Sequence, residues 1–382
     1  MFTKEITGLL RKHDTPFYYY DLDVLREILA VAAGEAANRG YRLHYAVKAN
    51  FNPVIMKIIA GYGLGADCVS ANEIELAIQC GFPPEETVFA GAGKSDREIE
   101  TALSLGIKCF NAESADEIKV INEIAGRLGR KANIALRINP NVEAHTIRHI
   151  TTGTDENKFG IRITELERVV ALFDDLENVE YHGIHFHIGS QITDLNVYRN
   201  LCSRINELWQ WMTDMGMEPP DINVGGGLGI SYDNPELFPP FADYFDIFRN
   251  HLDNRIRSSV SFELGRSLTA GCGSLISSVL YVKPGARETF VILDAGMTDL
   301  LRPALYNAFH RIENLTSDLP EHKYTVVGPV CETTDTFGRF IELPETRRGD
   351  LIAIRSAGAY GEVMASRYNM RSLPPSVLSD GL

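Results

Sequence analysis

The sequence predicts an α/β chain built as a (β/α)8 barrel followed by a mostly β domain of sandwich- or barrel-like character. Three observations carry this expectation. Between Arg42 and Phe262, short strand-like runs alternate with helix-periodic segments, and the strand-then-helix units number eight. No unit opens with the GxGxxG string of a doubly wound dinucleotide sheet. After residue 263 the texture changes to strand-like runs separated by Gly, Pro and Asp.

The elements follow in order. Phe17-Tyr18-Tyr19-Tyr20 is aromatic and short, which predicts a strand. Asp23–Asn38 is helical, with Val24, Leu25, Ile28, Leu29 and Ala32 at three- and four-residue spacing and Asp23 as its N-cap. The barrel strands are expected at Arg42–Val47, Leu64–Val69, Thr87–Ala90, Lys108–Asn111, Asn133–Ile138, Tyr181–Ile188, Asp221–Val224 and Ser259–Phe262. Helical segments lie between them, near Val54–Ala60, Asn72–Gln79, Asp96–Leu105, Ala115–Leu128, Leu166–Phe173, Val197–Met215 and Phe241–Leu252. Beyond the barrel, strands are expected at Leu275–Val282, Thr289–Leu293, Tyr324–Val327 and Leu351–Ile354, with one short helical segment around Leu301–Phe309. The domains are therefore 23–262, the barrel, and 263–382, the β-rich domain, joined by the N-terminal strand of 1–22.

Composition bounds the function. A chain of 382 residues, 45% hydrophobic and 23% charged, is long enough for a large barrel and a smaller partner. Its formal net charge of -14 argues against nucleic acid, which needs clustered Lys and Arg. Phosphate on a small molecule stays open, because local backbone N–H groups outweigh net charge. The N-terminus has no apolar stretch of secretory type and no apolar run approaches a membrane span, so a cytoplasmic location is expected. The six cysteines are scattered without a CxxC pair, as suits reduced thiols.

In a barrel, chemistry gathers at the C-terminal strand ends. Lys48 follows strand one, where partial desolvation would favour a free amine able to attack a carbonyl. Taken alone it reads better as an exposed lysine past a strand. Asp67 ends strand two. The run Gly225–Gly227 after strand seven would let backbone N–H groups approach an anion; its plain alternative is a tight turn. His182, His185 and His187 raise a metal site. Alternation puts His185 and His187 on one face and His182 on the other, which leaves two ligands and no third carboxylate nearby. No metal is expected; a flat imidazole beside a phosphate loop would instead stack on an aromatic cofactor. Glu263 and Arg266 read either as a local ion pair or as a carboxylate for a pyridine nitrogen with a guanidinium for a phosphate or carboxylate. Pyridoxal 5'-phosphate would use all these groups at once.

Particular strings then carry a resemblance. YAVKAN at Tyr45–Asn50, HFHIGSQ at His185–Gln191, GGGLG at Gly225–Gly229, FELGRS at Phe262–Ser267, DAGMTDLLRPALY at Asp294–Tyr306, CETTD at Cys331–Asp335 and GAYG at Gly358–Gly361 span nearly the whole chain. Together they resemble the alanine-racemase-like, barrel-type pyridoxal-phosphate decarboxylases. Arg137–Thr146 and Thr152–Ile161 resemble the branch of that family acting on diaminopimelate.

The resemblance implies a carboxy-lyase that converts meso-2,6-diaminopimelate to L-lysine and CO2, the last step of lysine biosynthesis. It implies that Lys48 bonds the cofactor aldehyde and that His187 stacks on the pyridine. Glu263 would pair with the pyridine nitrogen, and Asp67 would join the cofactor contacts. Ser190, Gly226, Gly227, Gly265 and Arg266 would lie at the phosphate, and Tyr360 would touch cofactor and substrate. Arg266, Arg302, Tyr306 and Glu332 would be substrate contacts. Cys331, otherwise readable as a buried core thiol, would donate a proton across the interface of a homodimer. Three features depart from the family pattern: Leu264 stands where proline is usual, Gly361-Glu362 follows GAY, and Asn369–Leu382 lacks an arginine-proline pattern. The rival readings are a decarboxylase of ornithine, arginine or carboxynorspermidine, a lysine Schiff-base aldolase, and a non-catalytic regulator of the same fold. An aldolase would need neither the stacking histidine nor the pyridine carboxylate. A regulator would be expected to have lost Lys48 or Cys331.

Overall fold

A computed structural model of the chain describes residues 2–140, 158–256 and 260–382. These form two compact units: Leu29–Gly229 with Pro240–Gly265, and Met1–Ile28 with Ile230–Pro239 and Arg266–Leu382. Ile230–Pro239, in the loop after the seventh strand, thus groups with the second unit, a long-range association that local sequence does not reveal.

In the first unit eight parallel strands close on themselves. They are Arg42–Ala46, Gly65–Cys68, Thr87–Phe89, Cys109–Ala112, Ala132–Asn139, Val179–His185, Asp221–Asn223 and Val260–Leu264, and a two-residue strand, Ile161–Arg162, adds to the fifth. Strand one pairs with strand eight, Leu43 beside Phe262, so the sheet has no open edge there. The crossover helices start on residues that satisfy their orphan N–H groups. Asn52 accepts from Val54 at 3.0 Å, Ser70 from Glu73 at 3.3 Å and Ser114 from Glu117 at 3.2 Å. Ser95 and Glu98 form a reciprocal capping box. Their apolar faces pack inward: Ile118, Ile121, Ile124 and Ala125 of the helix Ala115–Arg127 are all buried.

The second unit is a sheet in the order Ile312–Asn314, Leu351–Ile354, Gly273–Pro284, Thr289–Leu293, Glu321–Val327, Thr336–Pro344. Phe17–Tyr20 joins it antiparallel, Phe17 against Ile276, and Ser376–Leu378 lies alongside. Strand Thr336–Pro344 escapes the pattern because its pairing with Glu321–Val327 shifts register twice and Phe340 has a φ of 56°. The expected cap at Asp23 is corrected. The first long helix begins at Leu22, and Asp21 caps it by accepting from Val24 N–H at 3.2 Å. Asp23 lies in the first turn and pairs with Arg26 at 2.9 Å. The resembling strings Arg137–Thr146 and Thr152–Ile161, and residue 259 of the expected eighth strand, lie partly or wholly outside the described residues. Among the described residues no helix is long and apolar enough to cross a membrane.

Candidate active site

The barrel strand ends bring five of the expected residue groups together. Lys48 stands on a one-turn 3-10 segment, Val47–Ala49, just past strand one. Its Nζ lies 3.0 Å from Asp67 Oδ2 at the end of strand two. The lysine side chain is 36% exposed whereas the aspartate is sealed. Burial, with Glu263 nearby, raises the Asp67 pKa, and Lys48 opposes that rise. Asp67 Oδ1 has no hydrogen-bond partner among the described residues. Glu73 is pushed up to about 7 by burial, although it accepts from Val69 N–H at 2.7 Å.

Glu263, buried at the end of strand eight, is held by three donors. His185 Nε2 lies 2.9 Å from its Oε2, and the amides of Asn223 and Asn111 reach Oε1 at 2.7 and 3.3 Å. An ionised carboxylate only accepts, so His185 carries a proton on Nε2. Burial alone would raise the Glu263 pKa; His185, by charge and hydrogen bond, overcomes it and holds the carboxyl below its ordinary range. Asn223 is itself oriented, because its Oδ1 accepts from Gly225 N–H at 2.9 Å. One amide thus ties the carboxylate to the glycine loop.

That loop needs its glycines. Gly225 has a φ of 73°, and a Cβ on Gly226 would stand 1.9 Å from the Glu263 carbonyl oxygen. Gly226 N–H points at His187 Nδ1, 3.4 Å away, and burial lowers the His187 pKa, so the ring stays neutral. The segment after strand six, which carries Ser190, is fastened to the loop through Ile192 N–H to Gly227 O at 2.8 Å. Gly265 packs closely, its missing Cβ facing Ala49 and Ala46. The three histidines do not act as a set. His185 meets Glu263 and His187 meets Gly226, while His182 lies 3.8 Å from Asp221.

The second unit holds the remaining residues. Arg266 and Arg302 are both buried, and each sends Nη1 to the Tyr232 hydroxyl at 2.6 Å. Arg302 begins the helix Arg302–Tyr306, whose last residue is Tyr306. The Tyr360 ring faces the Arg266 guanidinium at 4.8 Å, on a residue held at a φ of 55°. Such a left-handed non-glycine is strained and persists only where its surroundings impose it. Cys331 is exposed, so the core-thiol alternative does not apply. Glu332, beside it, is exposed too and accepts from Thr334 at 3.3 Å. No hydrogen bond joins Cys331 or Glu332 to Arg302, Tyr306 or Tyr360 among the described residues.

Sequence reasoning missed five residues that the structure places at these groups: Asn111, His185, Asn223, Tyr232 and His310. Asn111 and Asn223 were findable as polar residues near the C-terminal ends of the fourth and seventh barrel strands. His185 was seen only as a metal candidate, and nothing local marks Tyr232 or His310.

The family model "Pyridoxal-dependent decarboxylase, pyridoxal binding domain" matches residues 27–270. A diaminopimelate decarboxylase of Bacteroides thetaiotaomicron is 52% identical over 97% of this chain and 97% of its own. One from Aquifex aeolicus is 41% identical over 97% of this chain and 88% of its own. The crystal structure of the Helicobacter pylori diaminopimelate decarboxylase complexed with L-lysine superposes with a TM-score of 0.92 at 41% identity, covering 97% of this chain and 93% of that one. A Selenomonas ruminantium lysine decarboxylase at 23% identity and a TM-score of 0.89 shares the fold. The chain belongs to the pyridoxal-dependent decarboxylase family and, within it, to the diaminopimelate decarboxylases.

Proposed function

We propose that the protein removes one carboxyl group from meso-2,6-diaminopimelate, yielding L-lysine and CO2 as the last step of lysine biosynthesis. It works with pyridoxal 5'-phosphate, as a cytoplasmic homodimer. The observation that carries the substrate assignment is Arg302: a buried guanidinium with no carboxylate partner among the described residues. Uncompensated buried charge is expensive, and the natural remedy is a ligand carboxylate. Diaminopimelate keeps a second amino-acid head that supplies one. Ornithine, arginine and carboxynorspermidine lack that distal head, so Arg302 separates the main reading from its rivals.

The residues present fit the cofactor. Lys48 offers an amine with Asp67 as its counter-charge, and the unpartnered Asp67 Oδ1 has capacity for one more donor. Glu263 is an ionised carboxylate suited to a protonated ring nitrogen. His187 gives a neutral planar face, and Ser190, Gly226, Gly227 and Gly265, with Arg266, offer donors to a phosphate. When bound, the cofactor supplies an electron sink for the pair left as CO2 departs. Asp67 holds the lysine amine beside strand two. The three donors to Glu263 keep its charge in place through turnover. Arg302 and Tyr306 orient the retained carboxylate, and Glu332 takes the retained amine. Tyr360 borders cofactor and substrate. Cys331, contributed from the partner subunit, or Lys48 returns a proton to the α-carbon. The exposure of Cys331 and Glu332 suits residues completed by a second copy.

The test is CO2 release by purified protein with added pyridoxal phosphate, using meso-diaminopimelate beside lysine, ornithine, arginine and carboxynorspermidine. Release from diaminopimelate alone, with lysine formed, is expected. Release only from another amine would overturn the role of Arg302, and release from none would point to the regulatory reading.

A further inference from the structure

Arg302 does not stand by itself in the second unit. Its Nη1 meets two atoms: Tyr232 Oη at 2.6 Å and His310 Nε2 at 3.0 Å. A guanidinium only donates, so both atoms accept. The state of His310 follows without ambiguity. Its Nδ1 lies 2.8 Å from the Arg355 carbonyl oxygen, which only accepts, so Nδ1 carries the hydrogen and Nε2 the lone pair. The ring is 1% exposed, and burial, reinforced by the charge of Arg302, pushes its pKa down to about 3. It remains neutral, in one tautomer, throughout the physiological range. The ring also meets Tyr232 edge to face, with centroids 4.9 Å apart, and the Arg302 guanidinium sits 5.1 Å from the centre of the Tyr232 ring.

The donor count then decides which side of Arg302 is left for a ligand. Nη1 has two hydrogens, and Tyr232 and His310 engage both. The hydrogens of Nε and Nη2 make no hydrogen bond with any described residue. Those two groups form the lateral fork of a guanidinium, the edge that grips both oxygens of one carboxylate.

We infer that His310, with Tyr232, is a positioning residue that fixes Arg302 with its Nε/Nη2 edge outward and so sets the preference for substrates retaining a carboxylate. This rests on the reading of Arg302 as the ligand of that carboxylate. Tyr232 also couples the two arginines: its oxygen accepts from Arg266 Nη1 and Arg302 Nη1 alike, which leaves its own O–H to donate elsewhere. His310 needs no contact with substrate. It acts by denying Arg302 the other orientations that a long side chain would sample, and so lowers the ordering cost at binding.

The test uses ligands that differ only in the carboxylate. L-lysine and 1,5-diaminopentane carry the same chain and amines, and only lysine has the acid. The holoenzyme is assayed for KM and kcat on diaminopimelate and for inhibition by each ligand, as wild type, His310→Leu, His310→Gln, Arg302→Ala and the Arg302→Ala/His310→Leu double variant. Direct calorimetric binding of lysine gives a readout apart from turnover. His310→Leu is expected to raise KM about tenfold, the worth of one oriented charge-assisted contact, with kcat nearly kept. It should also collapse the preference for lysine over diaminopentane. His310→Gln, whose amide oxygen restores the acceptor, should recover much of it. The double variant should be no worse than Arg302→Ala. If Arg302→Ala raises KM while His310→Leu keeps the lysine preference, the positioning role is wrong and the Arg302 reading survives. If Arg302→Ala leaves KM unchanged, the underlying reading fails. A His310→Leu protein that loses kcat and urea resistance but keeps its lysine preference would also overturn the inference, by showing a structural role only.

Discussion

Replacing His185 with leucine tests whether the Glu263 carboxylate is held ionised by its neighbours. The substitution removes the donor 2.9 Å from Oε2 and leaves a carboxylate only 6% exposed on two amides. A hydrogen bond to a charged group contributes about 1.5–3 kcal/mol. With both partners sealed from solvent, the loss belongs at the upper end, about 3 kcal/mol, or roughly 4 °C in Tm for a chain of this length. The pH dependence has a definite sign. A carboxyl whose folded pKa is depressed contributes stability that is present above its unfolded pKa, about 4.3, and is lost as pH falls through the folded value. The gap between wild type and His185→Leu should therefore be constant from pH 6 to 8 and narrow below about pH 4. Urea unfolding of the cofactor-free protein across that range measures it, and a parallel titration with pyridoxal phosphate should show weaker binding. A His185→Leu protein with the wild-type urea midpoint at pH 7 would refute the reasoning, as would a deficit that ignores acidification.

Further tests follow from the same geometry. Lys48→Ala should abolish decarboxylation and the protein-linked visible absorbance of the cofactor; full activity would exclude the lysine role. Mixing inactive Lys48→Ala and Cys331→Ala subunits should restore activity through hybrid sites, and no recovery despite demonstrated subunit exchange would count against a shared site. Gly226→Ala places a Cβ 1.9 Å from the Glu263 carbonyl oxygen and should cost several kcal/mol, seen as a sharply lowered urea midpoint. His44, inside the barrel near Lys108, Glu86, Asp221 and Glu263, is lowered to about 4, chiefly by burial. Its unfolded form binds the proton more readily, so it should destabilise the protein as pH falls from about 6.5 to 4, by about 3 kcal/mol in full. His44→Gln should flatten that slope in urea titrations; an unchanged slope would rule the histidine out.

Much of the barrel was legible because its signals are local. A parallel strand covered on both faces reads as an apolar run. The helix starts were less legible: the one cap expected, Asp23, gives way to Asp21, and the capping serines Ser70, Ser95 and Ser114 emerge only in the structure. The β-rich unit was harder. Thr336–Pro344 carries two register shifts, and Ile312–Asn314 and Ser376–Leu378 are three residues each, too short to show alternation. The helix Lys4–Leu10, capped by Thr3, was also missed because seven residues show little periodicity.

The sequence by itself determined the barrel, the β-rich unit and which polar residues and glycines stand at the barrel strand ends: Lys48, Asp67, His187, the glycine loop and Glu263. Chain order suffices to place them there. Tertiary structure decided which partner governs each. Glu263 stays charged through His185, Asn111 and Asn223, which lie 78, 152 and 40 residues away in the chain. Arg302 is aimed by Tyr232, 70 residues earlier, and by His310, whose tautomer is set by the Arg355 carbonyl. Ionisation, tautomer and orientation depend on which atoms lie within about 3 Å in a site sealed from water, and only the folded chain brings those atoms together.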